Sequence, residues 1–146
     1  MHIELKYNSI EARRFNDILE GQINIKNNSS IISLSQHENR LRMDFIFTST
    51  FEPNVGEIRI EGSLRIHDSE ENLKRILDEW ESSEKKNLPE DVAENIHNVI
   101  ISNCITETAI LAREVHLPCP IPIPKISINP RKDNGEDRSG TESYIR

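Results

Sequence analysis

The hydrophobic period changes at Asp68, and this change limits the chain to very few folds. Before it, apolar side chains fall at every second position. Leu41, Met43, Phe45 and Phe47 share one face, with Arg42 and Asp44 on the other. Ile58, Ile60, Leu64 and Ile66 oppose Glu57, Arg59, Glu61, Ser63 and Arg65 in the same way. Period-two alternation describes strands of a sheet with one dry and one wet face. The segment Glu52-Pro53-Asn54-Val55-Gly56 between them is rich in turn formers, so the two strands form a long antiparallel hairpin. Ile3, Leu5 and Tyr7 give a first strand. Ile32 and Leu34, alternating with Ser33 and Ser35, give another, joined to the Leu41 strand by a turn at His37-Glu38-Asn39. Between Asn8 and Asn28 the pattern weakens, which leaves two readings: a bulged continuation of the first strand, or a short hairpin.

After Asp68 the period is helical. Asp68-Ser69-Glu70-Glu71 fits a capping box with Asp68 as the N-cap, and Leu73, Ile76, Leu77 and Trp80 follow at helical spacing. The polar run Glu81–Asn87 reads as a loop or a frayed helix end. Pro89, followed by Glu90 and Asp91, suits the start of a second helix running to about Val115. Its apolar residues, among them Val92, Ile96, Val99, Ile100, Ile105 and Ile110, cover more than one stripe. The fold class expected is therefore α+β: an antiparallel sheet of about four strands, then two helices packed on one face.

From Leu117 to Ile126 prolines recur at every second position, which forbids a helix and a central strand. An extended strap near polyproline II is expected, with Leu117, Cys119, Ile121 and Ile123 lying against an apolar surface. Residues 1–128 then make a single domain, and the charge-mixed residues 129–146 a polar tail expected to be disordered.

The 146 residues carry a net charge of −7, which argues against nucleic acid and anionic membranes as partners. The N-terminal residues lack the basic and apolar regions of a signal peptide, and no apolar run approaches a bilayer span. A cytoplasmic protein with Cys104 and Cys119 reduced is the expectation. His116 and Cys119 are close in sequence, and His97 and Cys104 share the second helix, but no second tight ligand pair accompanies them, so no metal is expected. Neither cysteine has the setting of an activated nucleophile, and the carboxylates fall on wet faces. With no Gly-rich phosphate loop either, no cofactor and no enzymatic activity are expected. Arg13, Arg14, Arg40 and Arg42 are scattered among acids and read as a solvated sheet face.

Several antiparallel strands, then helices, then an extended apolar strap: this order resembles the SecB family of export chaperones. The resemblance is carried by Ala112-Arg113-Glu114 and Leu117-Pro118, by Ile121, Ile123, Ile126 and Ile128 after them, and by the Leu41–Ile66 hairpin with Gly56 and Gly62. It departs from the family in the late position of Ala-Arg-Glu on the helix, and in the polar tail where a final helix is usual. The resemblance implies a homotetramer. It also implies a holdase that binds unfolded or nascent polypeptide in apolar grooves, without nucleotide. Met43, Phe45 and Phe47 on the sheet and Leu117, Ile121 and Ile123 on the strap are the candidate groove residues, some of them shared with the core. The competing expectation is a non-enzymatic interaction module for one specific partner.

Overall fold

A computed structural model describes residues 1–17 and 21–121. Four strands, β1 (His2–Arg14), β2 (Asn24–His37), β3 (Arg40–Glu52) and β4 (Gly56–His67), precede two helices, α1 (Glu70–Ser82) and α2 (Glu90–Glu114). All strand pairs are antiparallel, in the order β1-β4-β3-β2, so the expected hairpin forms the centre of the sheet. The α+β expectation holds. The strap beyond Ile121 and the tail lie outside the described residues.

Alternation decides which face is dry. Leu41, Met43, Phe45, Phe47 and Phe51 on β3, with Ile58, Ile60, Leu64 and Ile66 on β4, are fully buried. Each such side chain contributes roughly 1.5–3 kcal/mol over leaving it in water. The opposite face carries Arg42, Asp44, Arg59, Glu61 and Arg65. The edge strands stay in phase with the centre only through bulges. Asn8 is the extra residue in β1, and it lets Ile10 and Ala12 replace Tyr7 in the inward phase. Of the two sequence readings for Asn8–Asn28, the bulged continuation is found as far as Arg14, whereas Asn24–Asn28 belong to β2 and pair with β3. Ile32 is the extra residue in β2. This corrects the expected alternation: Ile31 and Leu34 point inward opposite Phe45 and Met43, and Ile32 is pushed out to 55% exposure.

Ser69 caps α1, not Asp68. Ser69 has extended backbone angles, and its Oγ accepts the Asn72 N–H at 3.3 Å. Asp68 sits one residue earlier, accepting the Ser69 N–H at 2.8 Å and the Asn72 side-chain amide. The short serine side chain reaches its own third residue, which frees the aspartate to brace both ends of the motif. Leu73 and Ile76 of α1 enter the same core as α2.

Along α2 the buried residues are Val92, Ile96, Ile100, Cys104, Thr108 and Ala112, one every four positions. A helix has 3.6 residues per turn, so each step of four advances about 40° around the axis. The buried stripe therefore winds around the helix, which contacts all four strands. That winding accounts for much of the broad apolar surface seen in the sequence. The helix ends in a Schellman motif. His116 takes the left-handed conformation (φ 57°), its N–H donates to the Arg113 carbonyl at 3.3 Å, and the Leu117 N–H donates to Ala112 at 2.8 Å. The turn drives Leu117 into the core against Gly56, where a Cβ on residue 56 would meet its methyls at 2.9 Å.

Candidate functional site

The six groove candidates separate. Met43, Phe45 and Phe47 are fully buried, and Leu117 is 6% exposed. These four are core, because α2 and its C-terminal turn close over the dry face of the central strands. They offer no open groove in this chain, which corrects the sequence expectation for them. Ile121 is 39% exposed at the start of the strap. Ile123 lies outside the described residues.

The apolar surface that does face solvent lies elsewhere. Ile10, Ile32, Ile101 and Ile110 are 42%, 55%, 40% and 53% exposed. Ile10 is on the dry face of the edge strand β1, opposite the fully buried Ile60. Ile101 lies one helical turn beyond His97, whose Nδ1 meets Ser29 Oγ of β2. Residues four apart share a helix face, so Ile101 is on the side of α2 that overlooks β2.

The edge strands differ in composition. β1 carries Glu4, Lys6, Glu11, Arg13 and Arg14, the usual protection of an exposed edge. β2 carries no ionisable side chain from Asn27 to Gln36, and no proline. Among the described residues β2 pairs on one side only, with β3. Its other side is a row of free backbone donors and acceptors beside half-buried Ile31 and Leu34 and exposed Ile32. Sequence reasoning passed over this edge because it weighed β2 for its irregular apolar pattern and not for its missing charges. The run Asn27-Asn28-Ser29-Ser30-Ile31-Ile32-Ser33-Leu34-Ser35-Gln36 was the available signal.

The other singled-out groups occupy ordinary structural settings. Cys104 is fully buried, and burial, with a smaller contribution from the Glu107 carboxylate, pushes its thiol up to about 12. A thiol so held stays protonated at neutral pH and is a poor nucleophile. Tyr7 donates to the Asn103 carbonyl at 3.1 Å, joining β1 to α2, and its pKa is raised, chiefly by burial and then by Cys104 and Glu107. His116 serves the helix C-terminus, and Cys119 is exposed. No helix among the described residues is long and apolar enough to cross a membrane.

No protein-family model matches the chain, and neither a curated protein nor a solved structure is significantly similar to it.

Proposed function

We propose that this chain is a SecB-like holdase: a cytoplasmic, nucleotide-independent chaperone, assembled as a homotetramer, that keeps unfolded or nascent polypeptides soluble. The observation that carries the reading is the uncharged β2 edge beside exposed Ile32 and Ile101. An extended chain can add to such an edge as a fifth strand. Its backbone supplies hydrogen bonds whatever its sequence, while alternate side chains find apolar neighbours. This is the chemistry a binder of many non-native clients needs. The acidic, charged remainder of the surface supports the reading too, because it keeps the empty protein in solution.

The test is light scattering of chemically denatured, aggregation-prone clients diluted into buffer with and without the protein, on a sample whose mass is measured first. Suppression for several unrelated clients by a tetramer, near stoichiometric ratio and without ATP, is the expected result. A monomer that protects none of them refutes the proposal.

A second reading draws on the burial of Met43, Phe45 and Phe47, which leaves separate isoleucines in place of a continuous greasy trough. Such a surface suits one specific partner strand. Protection of a single partner, with no effect on unrelated clients, would select this reading.

A further inference from the structure

The wet face of the sheet is electrostatically uneven. Toward the Gly56 end, the strand register sets opposite charges against each other: Glu11 faces Arg59, and Arg13 faces Glu57. At the other end Glu4 of β1 still faces Arg65 of β4, but the pairing of the two central strands does the reverse. Arg42 of β3 lies directly opposite Arg65 of β4, on the two central strands. In the next row His2, His67, Arg40 and His37 stand side by side across all four strands. Like charges directly opposite on one sheet face are destabilising. The carboxylates sharing this end offset Arg42 but leave Arg65 without an ion pair among the described residues. Asp44 is taken by Ser33 at 2.7 Å and by Arg42 at 3.3 Å, and Glu4 lies 3.6 Å from His2. Arg40 and Arg65 form no ion pair among the described residues, and Glu38 stands at the rim in the β2–β3 turn. His37, Glu38, Arg40, Leu41, Arg42 and Arg65 line a depression of about 450 Å³ here.

We propose that this end of the wet face is a docking site for an acidic peptide segment of a partner protein, separate from the β2 edge. The Cβ atoms of directly opposed residues on neighbouring strands sit roughly 5 Å apart, and those of Arg40 and Arg42, two residues apart on β3, roughly 7 Å apart, so the arginine stems start at these spacings. Carboxylates at alternate positions of an extended peptide recur at that same spacing of about 7 Å, and each accepts a bidentate arginine. The site is charge-complementary to such a segment in a protein that is otherwise acidic. No phenylalanine, tyrosine or tryptophan of β3 or β4 flanks these arginines on the wet face; the rings beside them are the histidines of the next row.

The test is fluorescence anisotropy of a labelled eight-residue peptide with glutamate at alternate positions, titrated with the full chain at low salt. Saturable binding is expected. It should weaken about tenfold, or about 1.4 kcal/mol, in Arg65→Glu, and by less than about twofold in Arg13→Glu at the opposite end. A glutamine version of the peptide should not bind. Arg65→Ser serves as the folding control: it should melt close to the wild-type temperature, because it removes both the Arg42 repulsion and the Glu4 attraction, bind the peptide weakly, and retain any client-holding activity. Equal losses in Arg65→Glu and Arg13→Glu, or no binding by the wild type, would overturn the proposal. Tighter, Arg65-dependent binding of an oligothymidylate of equal charge would also overturn it, in favour of nucleic acid.

Discussion

Gly62 and Phe45 are register partners on the central hairpin, and the Phe45 ring fills the space where residue 62 would carry a side chain. A Cβ there would lie 2.7 Å from Phe45 Cζ, and it would also crowd the Lys6 carbonyl on β1. Gly62 therefore lets a fully buried phenylalanine lie flat against the sheet, in the row Tyr7–Gly62–Phe45–Ile31 that adjoins both edge bulges. Gly62→Ala overpacks the core and should cost about 1–3 kcal/mol. Denaturant titration checks this, and a shorter residue at position 45 in the same background should recover part of the loss.

Thr108 is fully buried in the α2 stripe, and its hydroxyl has no hydrogen-bond partner among the described residues. An unsatisfied buried hydroxyl carries its desolvation cost without return. Thr108→Val keeps the shape and removes that cost, so it should raise stability by about 1 kcal/mol. A melting temperature unchanged or lowered would mean that the hydroxyl is satisfied in solution.

The two cysteines should differ sharply in reactivity. Exposed Cys119 should react with a thiol reagent in the native protein, and Cys104 only on unfolding. The Cys104 shift also predicts a pH dependence. Its pKa rises from 9.0 to about 12 on folding, so above pH 9 the unfolded chain loses a proton that the native protein keeps. This contribution is intact below about pH 9 and is lost as pH rises toward about 12. The raised pKa of Tyr7 acts in the same direction. Cys104→Ala should flatten the alkaline fall in stability without abolishing it, as followed by urea titrations from pH 8 to 11.

Ser69→Ala removes the N-cap of α1 and should cost about 1 kcal/mol. Asp68→Asn tests the neighbouring brace separately. The Asn72 amide first, and then the Ser69 N–H, hold the Asp68 carboxyl below its ordinary value. The wild type should therefore lose this small contribution as pH falls through that lowered pKa, and Asp68→Asn should not.

Ile32→Lys puts a charge on the bare edge of β2 at an exposed position. Stability should change by no more than about 0.5 kcal/mol. If client chains add to this edge, their protection from aggregation should fall several-fold. Ile110→Lys, on the exposed side of α2, is the matched control. Equal effects from both would move the binding surface away from β2.

The sequence by itself determined the elements and their faces. Alternation from Leu41 to Ile66, with a turn-forming break at Pro53–Gly56, leaves a chain little choice but a hairpin with one dry face. The change of period after Asp68 and the proline at position 89 mark two helices. These signals are local, and backbone geometry reads them directly. Tertiary structure decided what each apolar residue is for. Met43, Phe45 and Phe47 look the same in sequence whether they line a groove or fill a core; α2 lying over them makes them core. A winding stripe with a step of four turned much of the apparent apolar surplus of α2 inward and left Ile101 and Ile110 outside. Bulges at Asn8 and Ile32 reset the phase of both edge strands, because a single extra residue reverses which face every later side chain occupies. Register also set Arg65 against Arg42, residues 23 positions apart in the chain. No spacing along the sequence shows such a pairing, because register comes from the sum of contacts across the sheet.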